Sequence, residues 1–175
     1  MQIRRDTKSM VAGLLLCMLV TPAVYAGACD APPYRQFDFW VGEWQVHRPD
    51  GRLAGFNRIT KEYGDCVIHE HYTTEHGYSG ESLNIYDASR QLWHQTWVDN
   101  TGTLLVLEGR FINGRMKLEG RTVEGDGKTI RHRITWTPNP DGSVRQFWEA
   151  TDANGNWGTV FDGLYTRRQG QKNNE

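Results

Sequence analysis

The sequence is short of the features that usually announce a reaction or a partner. Only three cysteines occur in 175 residues, at positions 17, 29 and 66, and none form a Cys-x-x-Cys pair. A structural zinc site of the usual kind is therefore excluded. Charge of one sign is not in excess: 20 Lys and Arg against 21 Asp and Glu give a formal net charge of -1. That removes the basic surface by which a protein displaces counterions from nucleic acid. Beyond residue 26 no apolar run is long enough to span a bilayer. No window keeps a 3.6-residue apolar period for the length of an ordinary helix. There is no Gly-x-Ser-x-Gly elbow, no phosphate-binding glycine loop, no low-complexity tract and no block of like charge. What is plentiful is tryptophan, 7, and glycine, 19, in a chain that is 38% hydrophobic and 23% charged. Those values suit a single packed domain rich in strands and turns, with an aromatic interior.

The first residues read as an export signal. Arg4, Arg5 and Lys8 make a positive head, Met10 to Val20 a short apolar run, and Val24-Tyr25-Ala26 a small-residue cleavage site. Cleavage after Ala26 removes Cys17 with the peptide and leaves residues 27-175 as one domain. It also removes three cations and one acid, so the mature chain carries -3. The compartment expected is the periplasm or the exterior. Cys29 and Cys66, the two mature cysteines, are then expected to form a disulfide, because the surroundings are oxidising.

From Trp44 onward the chain alternates with period two between turn signals. About ten strands are expected: 44-48, 53-63, 67-74, 81-86, 92-98, 103-112, 115-123, 129-138, 144-152 and 158-167. Asn113-Gly114 between two alternating runs is the strongest hairpin signal, since both residues tolerate positive φ. Phe37 to Trp40 reads as a brief helical turn or cap. Sequential strands with tight turns imply an all-β antiparallel meander. Closing it as an up-and-down barrel removes both unpaired edges; a β-sandwich is the alternative architecture.

The segment Phe37-Asp38-Phe39-Trp40-Val41-Gly42-Glu43-Trp44 resembles the opening of a secreted bacterial family of unknown function with lipocalin-like barrels. Leu83 to Asp87, Trp93 to Asp99 and Phe161 to Tyr165 also look like that family. The resemblance spans nearly all the mature chain and implies a lipocalin-like β-barrel, with no reaction attached. Gly42-Glu43-Trp44 is similar to the Gly-x-Trp of lipocalins. That likeness implies a 3₁₀ turn capping the barrel floor and an arginine from the last strand packed on the first-strand tryptophan. Here the partners would be Trp44 and Arg167, with Arg167 also within reach of the carbonyls of the Phe37-Trp40 turn.

The strand 92-98 carries the clearest binding signal. Trp93, Gln95, Trp97 and Asp99 share one face. Glu70 with Tyr72, Ser82 with Asn84 and Tyr86, and Gln146 with Trp148 provide matching stripes on other strands. An apolar wall with a few placed polar groups is how a small-molecule pocket is built. Tyr72, Asn84, Gln95, Trp97, Gln146 and Trp148 are expected to line one cavity, and Glu70 and Tyr86 complete the candidate ligand-binding set. A filled interior with a satisfied hydrogen-bond network is the alternative.

Other constellations are weaker. His69 and His71 share a strand face and would need a third ligand, His94 or Glu81, to hold a metal; an outward-facing pair is the plainer reading, and no metal is assigned. His94 and His132 are candidate haem ligands, but no cofactor is expected. Glu70, Glu149 and Asp162 are candidate acid-base groups, against which Arg133 and Arg145 stand as simple ion-pair partners. The reading overall is an exported barrel that binds a small apolar or aromatic molecule with polar handles, with no nucleic-acid partner and no membrane span in the mature chain. An enzyme (lyase, isomerase or hydrolase) using Glu70, or an envelope protein with a filled barrel, are the other classes.

Overall fold

The computed structural model describes residues 27–168. The expected signal peptide, residues 1–26, and the tail after 168 lie outside the described residues. A four-residue helix, α1 (Pro32–Arg35), and a 3₁₀ turn (Asp38–Trp40) precede ten strands. These are β1 (Gly42–His47), β2 (Leu53–Glu62), β3 (Val67–Thr73), β4 (Ser79–Asp87), β5 (Leu92–Asp99), β6 (Leu104–Ile112), β7 (Arg115–Val123), β8 (Thr129–Pro138), β9 (Val144–Thr151) and β10 (Trp157–Arg167). Each strand pairs antiparallel with its sequence neighbours, and β1 pairs with β10, so the sheet closes into a barrel. No strand edge is left open, which is what selects the barrel over the sandwich.

The alternation of the sequence becomes the alternation of burial. Along β4, Gly80, Ser82 and Asn84 are buried while Glu81, Leu83 and Ile85 are exposed. A two-residue connection sets β6 and β7 in register: Asn113 and Gly114 have φ of 51° and 76°, the mirror-image turn that matches strand twist. Two irregularities break the pattern, one between Val46 and His47 where β1 pairs with β2 and one on β10. Register shifts between Thr159 and Phe161 on β10, leaving Val160 unpaired at the barrel rim.

One end of the barrel is closed by aromatic packing. Phe37 stacks on Trp40 at 4.8 Å between ring centroids and meets the edges of Trp93 and Trp136 at 5.7 and 5.3 Å. Leu107, Met116 and Leu118 fill the space beside them. Each such ring contributes on the order of 2–3 kcal/mol by leaving water. The arm before the barrel is pinned to this end. Cys29 is bonded to Cys66 in the β2–β3 connection, with a Cα separation of 5.1 Å. Arg35 reaches the Asp65 carbonyl, and Lys61 pairs with Asp38 at 2.6 Å. Within the arm α1 forms because Pro32 and Pro33 open it with a preset φ and no N–H to satisfy.

The floor is sealed from the last strand. The Arg167 guanidinium lies 3.9 Å from the Trp44 ring centroid and donates to the Val41 carbonyl at 2.8 Å. The accepting carbonyl is thus one residue past the Phe37–Trp40 turn, whose Phe37 and Asp38 oxygens accept from the Trp40 and Val41 amides and whose Trp40 oxygen accepts from Trp44 Nε1. Gly42 makes room for this contact. Its φ is +144°, and a Cβ there would strike the Arg167 guanidinium.

Candidate functional site

Above the aromatic floor the barrel interior opens into a cavity of about 600 Å³. Its walls are Tyr72, Trp97, Leu105, Ile134, Trp148 and Phe161; Glu70, Gln95, Gln146 and Tyr165 supply polar groups at its base. Arg48, Arg52, Thr74, His76 and Tyr78, from the β1–β2 and β3–β4 ends, form its mouth. The closed end carries the 3₁₀ turn and the open end carries the β1–β2 and β3–β4 loops. A ligand would therefore enter opposite the disulfide.

The base is a continuous hydrogen-bond network. Glu70 is 3% exposed. One of its oxygens accepts from Asn57 Nδ2 at 2.7 Å, the other from the Ser82 hydroxyl at 2.6 Å. Asn84 Nδ2 donates to Ser82 Oγ at 2.9 Å and to the Ile68 carbonyl at 3.1 Å. Gln95 Nε2 donates to Asn84 Oδ1 at 2.7 Å. On the other side Asn57 also reaches the Tyr165 hydroxyl, which in turn donates to Gln146 Oε1. Burial pushes the Glu70 carboxyl up to about 7, against the lowering effect of its Ser82 and Asn57 donors. The same burial raises Tyr165 well above the usual phenol value and Tyr72 to about 12.

The aromatic walls are held in place from behind. Trp97 Nε1 and the Tyr78 hydroxyl both donate to Asp99 Oδ2, at 3.1 and 2.9 Å. Desolvation raises the Asp99 carboxyl, but hydrogen bonds from Thr101 and Trp97, with backbone donors, outweigh it and hold it below the usual carboxylate range. The Trp97 ring rests directly on Gly80, where any Cβ would overlap its six-membered ring. Trp148 Nε1 donates to His132 Nδ1 at 3.2 Å, and His132 Nε2 meets the Thr122 hydroxyl at 2.9 Å. Burial lowers the His132 pKa, which keeps the acceptor nitrogen unprotonated.

Of the residues singled out from the sequence, Glu70, Tyr72, Gln95, Trp97, Gln146 and Trp148 meet at this cavity. Asn84 does not line it. It lies wholly buried beneath, tying Gln95 to Ser82. Tyr86 is set apart: although it shares the inward face of β4, it sits at the closed end against Tyr34 and Trp93, at 5.2 and 6.0 Å. Glu149 is not a buried acid. It points outward and forms a two-point pair with Arg133, which holds its carboxyl below the usual range. Asp162 pairs likewise with Arg145. His69 and His71 both face outward onto Glu81, and His94 onto Glu108. Among the described residues no group of metal-ligating side chains converges on an ion site.

Asn57, Tyr165 and Arg48 were not legible as site residues. On β2, Phe56 faces outward beside Arg168 and leaves the inward positions to Gly55, Asn57 and Ile59, so the hydrophobic pattern points the wrong way. The signal that would have located Asn57 is the pairing of β2 with β3, which sets Asn57 beside Tyr72 and Ile59 beside Glu70. Compared with known proteins, the chain matches no family model and no curated protein.

Proposed function

We propose that this chain is an exported binding protein that carries a small apolar or aromatic molecule inside its barrel. The observation that carries the reading is the cavity of about 600 Å³ with aromatic walls, an open mouth and a buried polar base. That size lies within the range of about 300–1,000 Å³ in which small-molecule sites fall. Every aromatic N–H or O–H of the wall is already bonded outward or into the base, so the rings present carbon faces to a ligand. The Cys29–Cys66 bridge favours a periplasmic or secreted location. Among the described residues no helix is long and apolar enough to cross a membrane. Membership of the lipocalin-like secreted family, suggested by the Phe37–Trp44 segment, is part of the same proposal.

Native mass spectrometry of protein purified without denaturation tests the reading. A retained small molecule, lost on substituting Trp97→Ala, is the expected result. An empty barrel whose tryptophan emission is indifferent to every apolar probe would refute it.

A second reading is supported by one observation, the neutral-leaning Glu70 at the base of the void. A carboxyl with a pKa near 7 suits proton transfer to or from a bound molecule. The variant Glu70→Gln separates the two: a carrier keeps its affinity within a few fold, whereas an acid-base enzyme keeps binding and loses turnover.

A further inference from the structure

The cavity has a polarity along its axis. Among the described residues only one acid lines it, Glu70, at the base, and the basic side chains that line it, Arg48, Arg52 and His76, are all at the mouth. Arg52 is committed elsewhere, since its guanidinium pairs with Asp50 at 2.6 Å. Arg48 has no carboxylate within ion-pairing distance among the described residues, and its charge acts on the Tyr72 phenol at the cavity wall. A free guanidinium at the rim of an apolar cavity is a fork for a carboxylate.

The base is polarised as well, and its orientation is fixed by a backbone group. The Ile68 carbonyl can only accept, so the Asn84 side chain must turn its Nδ2 toward it. Asn84 Oδ1 is then the acceptor for Gln95, which obliges Gln95 to present Nε2 to it at 2.7 Å. Gln95 Oε1 is left with no donor among the described residues, although the residue is 2% exposed and lines the cavity. Gln146 is the complement. Its Oε1 is taken by Tyr165, so its Nε2 is the free atom. The free acceptor, Gln95 Oε1, calls for a hydroxyl donor on the ligand, and the free donor, Gln146 Nε2, for an acceptor.

Resting on the carrier reading, we propose that the ligand is a hydroxy-substituted cyclic carboxylic acid bound with its carboxylate outward on Arg48 and its hydroxyl inward, donating to Gln95 Oε1. The ring system lies between Trp97, Trp148 and Tyr72. Selectivity follows from both ends. An ester forfeits the ion pair at the mouth, and a ligand without the hydroxyl leaves Gln95 Oε1 buried and unpaired.

Titration calorimetry with 6-hydroxy-2-naphthoic acid, its methyl ester and 2-naphthoic acid tests this, with the neutral dye N-phenyl-1-naphthylamine as a probe of the cavity alone. The acid is expected to bind at least about tenfold more tightly than either analogue. In Arg48→Gln the acid and ester converge to within about twofold, while Arg52→Gln keeps most of the preference. The penalty for the missing hydroxyl persists in Arg48→Gln, since it arises at the other end. An acid preferred no more than its ester, or a preference that survives Arg48→Gln, overturns the assignment. If the neutral dye binds in either of those cases, the carrier reading stands and only the ligand class fails. If none of the four compounds binds, both fail.

Discussion

Replacing Glu70 by glutamine should make the protein more stable at neutral pH and change how its stability depends on pH. The carboxyl titrates near 7 in the folded protein, against 4.5 for an ordinary glutamate. A raised acid pKa means the folded chain holds its proton where the unfolded chain has released it. Stability is therefore full below about pH 4.5, declines as pH rises, and is lost once pH passes the folded value near 7. The rise from 4.5 to about 7 corresponds to about 3 kcal/mol, a large share of the 5–15 kcal/mol that typically holds a domain together. Glutamine keeps the shape without the charge. It has one acceptor oxygen where Glu70 has two, so either Asn57 or Ser82 must reorient, at a cost of about 1 kcal/mol. Glu70→Gln should thus be slightly less stable than wild type at pH 4.5 and about 2 kcal/mol more stable at pH 8. Urea titrations of both proteins between pH 4.5 and 8.5 measure the difference. Exposed ion pairs such as Asp87–Arg90 are the same in both proteins and cancel. A difference that does not vary with pH would show Glu70 to be solvated and would refute the account of the base.

Three further outcomes are expected. Arg167→Ala should cost about 1–2 kcal/mol, from the Trp44 stack and the Val41 bond, whereas Arg168→Ala should stay within about 0.5 kcal/mol; equal effects in chemical denaturation would remove the floor-sealing role. Replacing Cys29 and Cys66 together by serine should lower stability by about 4 kcal/mol on chain-entropy grounds for a separation of 37 residues, with near-ultraviolet dichroism of the barrel tryptophans retained, because β1 to β10 close without the bridge. Gly80→Ala should push the Trp97 ring off its backbone seat, costing about 1–3 kcal/mol and shifting Trp97 emission; a variant with unchanged emission and stability would mean the ring has room to spare.

Much of this molecule is written locally. Period-two alternation, Asn113-Gly114 and the other turn signals define ten strands to within a few residues, because side-chain direction in a strand depends only on parity. The same parity puts Gln95 with Trp97 and Gln146 with Trp148 on the inward face, and elimination pairs Cys29 with Cys66. Parity does not say how far along the barrel axis a residue lies. That is decided by the stagger of ten paired strands, and it is why Tyr86 falls to the closed end and Asn84 beneath the cavity while their neighbours on the same stripes line it. Nor does it distinguish the two faces when both carry polar groups: Glu70 and Glu149 look alike in sequence, yet one is enclosed by Asn57 and Ser82 and the other is tied to Arg133 outside. Those environments come from residues 12 to 16 positions away, brought alongside only by strand pairing. Closure of β1 on β10 brings Tyr165 against Asn57, 108 residues apart, and so completes the polar base. Burial, and with it the raised pKa of Glu70, exists only once the barrel has closed around it.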